Sequence, residues 1–352
     1  MNQSELAQLI HRKRRKAQLS SLIVGASLLL LAATSVTVGW TNLSATDVLA
    51  VICGKVTGNS AWYSQLEPAM VAIIWDIRFP RILCAILVGC GLAVSGTVFQ
   101  AILMNPLADS YTMGVSTGAA FGASFAIFCN LLGNVSLPIT PFAFGGALLT
   151  LFAVLAIARV NGHVSSTNLI IAGIIVGCFL SAAISLIKSL AGEEVAAIVS
   201  WLIGSLSARG WPYVTFGFPL IIICYCFCHY FAEELNILSL GDQEARNLGI
   251  DSSKLRIALI SCGALLTAVC VSISGIIGFV GLVVPHLLRM LVGSDNKLLI
   301  PLSALSGGLL LLAADTFARS LDNIELPVGV LTTLLGGPFF FYLFKTRNKS
   351  IQ

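Results

Sequence analysis

The amino-acid sequence predicts an all-α, polytopic membrane protein with about ten transmembrane helices. Ten apolar stretches occur along its 352 residues, and most are about long enough to cross a bilayer. Hydrophobic residues make up 57% of the chain and charged residues only 10%, whereas soluble domains are about 25% charged. Because this composition cannot cover a water-exposed surface, we expect one helix bundle in lipid over residues 1–352.

The spans must be helical, because lipid offers no partner to open backbone groups. One apolar run is too long for a single crossing, so we divide it at Ser272–Gly275 into a seventh and an eighth span. We expect the ten spans at residues 19–40, 82–103, 114–133, 142–160, 168–190, 212–231, 255–273, 274–293, 299–319 and 326–345.

The first span follows a basic segment, residues 1–18, which contains Arg12–Lys16. Its apolar run is longer than the core of a secretory signal, and no small-residue cleavage site ends it, so we interpret it as an uncleaved span. With the N terminus inside, 14 of the 20 basic residues lie in cytoplasmic segments. The positive-inside rule therefore predicts that both termini are cytoplasmic.

Glycines recur at helix-packing intervals in the third, fifth and eighth spans. Small residues allow helix backbones to approach closely where lipid supplies no hydrophobic drive. This spacing favours static packing, and an interface along which helices slide during gating is the alternative. The glycines are Gly114, Gly118 and Gly122, then Gly173 and Gly177, and finally Gly275, Gly278 and Gly281.

Few charged residues lie inside the spans, which argues against an ion-coupled carrier. Such carriers usually need intramembrane carboxylates or broken helices to bind the coupling ion. The only acidic residue well within a predicted span is Asp315, and Arg319 follows one turn later. Residues at i and i+4 are neighbours on a helix, so we expect a structural ion pair.

The metalloprotease and ATP-binding patterns are missing from the sequence. There is no HExxH and no GxxxxGK[ST] loop for ATP. Cys224, Cys226 and Cys228 point in different directions on a helix and cannot converge on a metal. Pro285 should kink the eighth span, and we interpret His286 as a packing or hydrogen-bonding residue. We therefore expect no catalytic residue, metal or cofactor in this chain.

The longest predicted cytoplasmic connection, residues 232–254, joins the sixth and seventh spans. Asp242 can cap a short helix that begins near Gln243, and Gly249 can end it. Mixed charge and a weak apolar face suit a groove on a cytoplasmic partner better than the membrane surface. That face would consist of Leu240, Ala245 and Leu248.

A series of short motifs runs in order from about residue 78 to the C terminus. They are Arg78-Phe79-Pro80-Arg81, Gly91-Leu92-Ala93-Val94-Ser95-Gly96 with Gln100, Asn105-Pro106-Leu107-Ala108, Gly114-Val115-Ser116-Thr117-Gly118-Ala119, Glu244-Ala245-Arg246-Asn247-Leu248-Gly249, the run Gly278–Arg289 with Pro285-His286, Ala314-Asp315 with Arg319, and Glu325-Leu326-Pro327-Val328-Gly329. Together they resemble the permease subunits of ABC importers for iron–siderophore complexes, haem and cobalamin, the FecCD type of type II importer.

The resemblance implies a permease domain that pairs with a second permease subunit, either identical or a paralogue, in the bacterial cytoplasmic membrane. It also implies two cytoplasmic ATPase subunits, which use ATP and Mg, and an extracytoplasmic binding protein. This chain would then transport without being an enzyme. Ferric siderophore is the expected cargo because it is the commonest among such importers. Haem and cobalamin are alternatives, and an ion-coupled secondary transporter is a distant one.

The resemblance also implies roles for single residues. An arginine fork recognises a carboxylate in a planar, bidentate way, which fits docking of the binding protein on the outer rim. Interfacial anchoring of the second span is the alternative for Arg78 and Arg81. The implied sets are Gly241, Glu244, Ala245, Leu248 and Gly249 for ATPase coupling; Arg78, Arg81 and Arg319 for binding-protein docking; Ser95, Gly96 and Gln100 for the translocation pathway; and Asn105, Pro106, Gly114, Gly118, Pro285, His286 and Asp315 as structural motif residues.

Overall fold

The computed structural model describes residues 3–39, 41, 43–133, 136–160, 163–321 and 325–349. Short 3-10 helices cover Ser60–Tyr63 and Gly192–Glu194, and a π-helical segment covers Ile73–Arg78. A two-residue antiparallel hairpin consists of β1 (Arg159–Val160) and β2 (His163–Val164). The α-helices are α1 (Gln3–Ser35), α2 (Ala45–Thr57), α3 (Pro68–Ala72), α4 (Phe79–Ile102), α5 (Val115–Leu131), α6 (Ile139–Ala158), α7 (Ser166–Leu190), α8 (Val195–Ile203), α9 (Trp211–Tyr230), α10 (Ala232–Leu238), α11 (Asp242–Asn247), α12 (Ser252–Ser274), α13 (Val280–Val292), α14 (Asn296–Ser320) and α15 (Val328–Lys349).

Ten of the helices in the described residues correspond to the ten predicted spans. Seven helical segments are long and apolar enough to cross a membrane, and they contain α1, α4, α6, α7, α9, α12 and α14. The other three, α5, α13 and the first part of α15, are apolar but shorter. The prediction of an all-α, polytopic membrane protein is confirmed.

The boundary between the seventh and eighth spans lies where the sequence predicts a division, but the eighth helix begins later than expected. Gly275 ends α12 with φ +71°, and α13 begins only at Val280, after Phe279 with φ +68°. Gly275 and Gly278 therefore lie in a non-helical break, and a glycine face along one helix was the wrong interpretation there. Because Gly281 packs against the Leu92 carbonyl of α4, the break lies inside the bundle.

The sequence pattern did not predict several outer elements. Helices α2 and α3 and the π-helical segment connect the first span to α4, and α8 lies between α7 and α9. These helices are shorter than a membrane crossing, so a search for long apolar runs passes over them. In addition, α1 is a single helix that includes the basic segment and ends at Ser35 rather than near residue 40.

Helices α4, α12 and α14 form the centre of the bundle. In the most apolar stretches of α4 and α12, 78% of the residues are buried, against 11% for α1 and 22% for α7. The backbones of α4 and α14 meet at Gly89 and Gly307, where a Cβ on either glycine would overlap the other's carbonyl oxygen. Small residues thus allow the backbones of α4 and α14 to approach closely, and this contact places the two helices at the centre of the bundle.

The glycines of α5 and α6 are packed in the way that the static interpretation predicts. A Cβ at Gly118 would overlap the Thr150 hydroxyl, and one at Gly122 would overlap the Phe142 carbonyl oxygen. Gly146 on α6 faces the Gly118 carbonyl in return. The predicted divergence of the alternating cysteines holds for Cys226, which is exposed, but was wrong for the other two. Cys224 and Cys228 are both buried on one face of α9 and both contact Cys262 of α12.

We expect Gly146→Ala to destabilise the bundle by about 1–3 kcal/mol, the usual cost of overpacking. Its new Cβ would overlap the Gly118 carbonyl oxygen, whereas a Cβ at the neighbouring Gly145 meets nothing within 4 Å. Thermal unfolding of both purified variants in detergent measures the difference. Gly145→Ala is the matched control and should unfold at or slightly above the temperature of the unmodified protein. Equal stability of the two variants would contradict the packing assignment.

Candidate functional site

The predicted coupling loop, residues 232–254, contains α10 and α11. Gly241 precedes α11 with φ +119°, and Gly249 follows it with φ +80°. The Ile250 amide donates to the Ala245 carbonyl at 3.0 Å and the Gly249 amide donates to the Arg246 carbonyl at 3.0 Å. This is a glycine helix stop, so the prediction that Gly249 ends the helix is confirmed.

Asp242 does not cap α11, and that prediction was wrong. Gly241 occupies the cap position, and the Asp242 carboxylate instead accepts two hydrogen bonds from Arg256 on α12, at 2.7 and 3.1 Å. These bonds keep the pKa of the Asp242 carboxyl below its usual value. The Arg256 side chain is only 2% exposed, and it donates a further hydrogen bond to the Val164 carbonyl of β2 at 2.9 Å.

The exposed apolar surface of the loop is smaller than the sequence predicts. Ala245 is completely buried, so its inclusion in an exposed face was wrong; its methyl group packs the helix onto the bundle. Leu240 and Leu248 are 66% and 63% exposed. Glu244 and Gly249 are exposed beside them. The loop thus presents two leucines and a carboxylate to solvent, and its backbone is held in place on the side that faces the bundle.

The base of the loop is bonded to the start of α14. The Asn236 side chain on α10 donates to Asp295 at 2.8 Å and accepts from the Asn296 amide at 2.8 Å. Glu233 forms an ion pair with Lys297. These bonds fix α10 against a central helix, so the loop is an ordered platform.

At the opposite end of the bundle, Asp315 lies completely buried between two arginines. Arg319 donates from Nε to Asp315 at 3.0 Å, which confirms the predicted i,i+4 pair. Arg81 on α4 is the second partner, at 3.0 Å, and the sequence analysis did not pair it with Asp315. Glu325, whose side chain is 49% exposed, approaches Arg81 at 3.4 Å. The hydrogen bond from Ser207, followed by the charge of Arg81, lowers the pKa of the Glu325 carboxyl.

The three arginines of the predicted docking set point into the chain. Arg78, Arg81 and Arg319 are each 6% exposed. Arg78 donates to the carbonyls that follow α1, at 2.7 Å to Val36 and 3.0 Å to Thr41. Arg319 donates to the Val38 carbonyl at 3.1 Å. These groups therefore fix the outer end of α1 against α4 and α14, and a role in docking stays a prediction.

The predicted pathway residues lie at helix contacts inside the chain. Ser95 accepts from the Thr267 hydroxyl of α12 at 3.1 Å. The Gln100 amide donates to the Leu282 carbonyl at 3.1 Å and accepts from Arg289 at 3.1 Å. Gly96 lies against Gly281 of α13, and a Cβ there would overlap the Gly281 carbonyl oxygen.

A cavity of about 10 Å³ borders Ser95 and Gly96, which is the space of a single water. That space is far too small for a metal chelate. In the part of the chain that the structure describes, these residues join α4 to α12 and α13, and their contribution to a pathway stays a prediction.

The structural motif residues shape the connections between spans. Met104, with φ +49°, lets the Asn105 amide donate back to the Gln100 carbonyl at 3.2 Å, and the Asn105 side chain accepts from the Leu107 amide at 2.9 Å. Gly114 starts α5 with φ +71°. Pro285 has no amide hydrogen to give to the carbonyl four residues earlier, which is the Gly281 carbonyl that lies against Gly96. His286 follows on the same turn of α13, half-buried.

Residues 6–346 match the model of the FecCD transport family. The chain belongs to this family. It is 42% identical over 282 residues to the cobalamin import system permease protein BtuC of Halobacterium salinarum, covering 80% of this chain and 75% of that protein. It is 34% identical over 336 residues to the Fe(3+)-citrate import system permease protein YfmE of Bacillus subtilis, covering 95% and 97%.

A solved structure of a metal-chelate type ABC transporter in an inward-facing conformation is also similar. It matches with a TM-score of 0.79 and 34% identity, over 93% of this chain and 98% of that one. Other FecCD relatives are a hemin transport permease of Yersinia pestis and a molybdate import permease of Haemophilus influenzae. This chain is therefore an ABC importer permease, a multi-pass protein of the bacterial cytoplasmic membrane.

We expect Asp315→Asn in this FecCD permease to lower the free energy of unfolding by about 3–5 kcal/mol, because it leaves the buried Arg319 guanidinium without its paired carboxylate and leaves Arg81 with the half-exposed Glu325 alone. Glu325→Gln is the matched control, and it should cost about 0–1 kcal/mol because half of that side chain is in solvent. Unfolding of the purified variants in detergent measures both values. A control as unstable as Asp315→Asn would show that the buried pair is not the stabilising contact.

Proposed function

We propose that this FecCD permease imports ferric siderophores that an extracytoplasmic binding protein delivers, with energy from two separate ATPase subunits. The observation that carries the proposal is the coupling loop, where Leu240 and Leu248 lie exposed just before and just after the short helix α11, which is held to the bundle by the buried Ala245. Two leucines held in solvent on a fixed loop suit the groove of a protein partner. The family membership supplies the class of that partner, an ABC ATPase.

The mechanism that we propose is alternating access driven from outside the permease. ATP binding closes the two ATPases, the coupling loop moves with them, and the pathway between two permease subunits opens to the other side. The small space beside Ser95 supports a pathway between subunits, because a chelate cannot pass through the contacts that Ser95 and Gly96 make inside one chain. The second subunit is an identical chain or a paralogue.

Ferric siderophore is our choice among several cargoes. The ferric citrate permease and two permeases of Helicobacter pylori named for iron chelatin support an iron chelate. Cobalamin, hemin and molybdate appear in the names of other relatives, and they are the competing cargoes in an uptake assay. Since the binding protein selects the cargo in such systems, its affinity decides among them.

We also propose that the binding protein docks at the outer end of α4 through Arg81. Glu325 already places a half-exposed carboxylate on Arg81 at 3.4 Å, so a carboxylate of the partner can take its place there. The carboxylate of such a pair is half in solvent although Arg81 is buried, so solvent screens the pair and it should contribute on the order of 1 kcal/mol, which suits a partner that binds and leaves in each cycle. Arg78 and Arg319 would stabilise the site from inside the bundle, through their hydrogen bonds to the end of α1.

Reconstitution tests the proposal as a whole. The permease is placed in liposomes with the ATPase and the binding protein of the same importer, and uptake of a radioactive ferric siderophore is measured. We expect uptake only with hydrolysable ATP, and competition by cobalamin, hemin or molybdate only where the binding protein binds them. Uphill uptake by the permease alone would overturn the proposal in favour of an ion-coupled carrier.

A charge at the exposed leucines should uncouple the loop from its partner. We expect Leu248→Glu and Leu240→Glu to reduce ATP-driven uptake about tenfold or more, because each buries a carboxylate in an apolar contact. The variants should unfold like the unmodified protein, since both side chains are in solvent. Val56→Glu, at an exposed position of α2 on the other side of the membrane, is the control. Unchanged uptake in the leucine variants would refute the assigned contact.

A further inference from the structure

Arg256 joins three cytoplasmic segments that are far apart in the sequence. It lies one turn into α12, and its guanidinium forms two hydrogen bonds to Asp242 on α11 and one to the Val164 carbonyl on β2, at 2.7, 3.1 and 2.9 Å. We call these three residues the Arg256 junction. Since Val164 pairs with Arg159 in the β1–β2 hairpin, the junction connects the α6–α7 turn, the coupling loop and α12.

The junction is built for a fixed geometry. A guanidinium is a planar fork that engages a carboxylate with two parallel bonds, whereas a lysine ammonium is a point charge on a flexible stem. Arg256 is 2% exposed, although Asp242 is 39% exposed, and among the residues that the structure describes Asp242 is the one carboxylate with which it forms an ion pair. A displacement of α11 must therefore displace Arg256, or the buried charge loses its partner.

The helix that carries Arg256 leads from the cytoplasmic loop deep into the bundle. It packs along α4, with Gly263 against Phe99 and Thr267 bonded to Ser95. At its far end the Ser205 amide donates to the Ser274 carbonyl at 2.8 Å, and Gly275 lies against the Trp201 carbonyl at the end of α8. A shift of α12 would therefore also displace the segment that connects α7 to α9.

We propose that Arg256 is the positioning residue that transmits movement of the coupling loop into α12 and the β1–β2 hairpin. The inference rests on the proposed function, in which an ATPase moves that loop. The inference assigns the transmission of movement to one ion pair, Arg256 with Asp242, and not to the coupling loop as a whole. The Arg256 junction then sets how much cargo moves for each ATP hydrolysed.

The test compares Arg256→Met, Asp242→Asn and the double variant in the reconstituted importer. We expect each single variant to bind the ATPase and to hydrolyse ATP, while cargo moved per ATP falls about tenfold, within the usual range of coupling between sites. The double variant should lose no more than either single variant, because all three break the same contact. If the losses in the two single variants add up in the double variant, Arg256 and Asp242 do not act through one shared contact.

Lys254→Met is the matched control. Lys254 forms an exposed ion pair with Asp251 at 2.9 Å, two residues before Arg256, and its side chain is 87% exposed. The ratio of cargo to ATP should be unchanged in this variant. Arg256→Lys, which keeps the charge but loses the fork, should recover folding without recovering the ratio. If Arg256 only stabilises the fold, the ratio of cargo moved to ATP hydrolysed should fall together with the thermal stability in all of the variants.

The two proposals fail in different ways. If the unmodified permease shows no ATP-driven uptake, the proposed function is wrong. If the unmodified permease transports with ATP and Asp242→Asn, which keeps the size of the side chain, retains the full ratio, only the inference about Arg256 is wrong. If Arg256→Met does not fold, Asp242→Asn still tests the inference about Arg256.

Discussion

Close contact between helix backbones is the constraint on which the rest of this bundle depends. In lipid there is no hydrophobic force to press helices together, so van der Waals contact and hydrogen bonds must do it. At Gly89 and Gly307 the central helices α4 and α14 approach so closely that neither can carry a Cβ, and Gly96 repeats this with α13. These contacts fix α4 in the centre, and the positions of the other functional residues follow from that.

Charge in the bundle is confined to its two ends and is used there to join helices. At the outer end a single buried carboxylate, Asp315, is shared by Arg81 and Arg319. At the inner end one buried guanidinium, Arg256, is shared by a carboxylate and a carbonyl. Buried ions need partners on several sides, so each group fixes the relative positions of three segments. That is why a chain with so few charges can keep them buried.

The sequence predicts the parts of this structure that depend on local properties. Span number, the division near Gly275, the packing role of the α5 glycines and the helix stop at Gly249 all follow from length, apolarity and backbone conformation. Asp242 was predicted as a cap because a carboxylate before a helix usually caps it. In the structure an arginine fourteen positions later attracts the carboxylate more strongly, and no local pattern contains that information.

Burial was the second property that sequence reasoning could not supply. Ala245 looks like part of an exposed apolar face, because a pattern shows which residues share a side of a helix without showing what covers it. The family resemblance, which implies a rim role for Arg78, likewise does not show that its side chain is buried. The length of the break before α13 was also missed. Its boundaries depend on Phe279 adopting a left-handed conformation, which only the surrounding packing makes favourable.

The break between α12 and α13 has a consequence for the energetics of permeation. Its backbone is satisfied by neighbours such as the Ser205 amide, which bonds to Ser274. Hydrocarbon cannot replace such a bond, and an exposed peptide group there would cost several kcal/mol. Separation of these segments thus requires water to reach the broken bonds in the same step, so hydration of the break and displacement of its helices would be thermodynamically coupled.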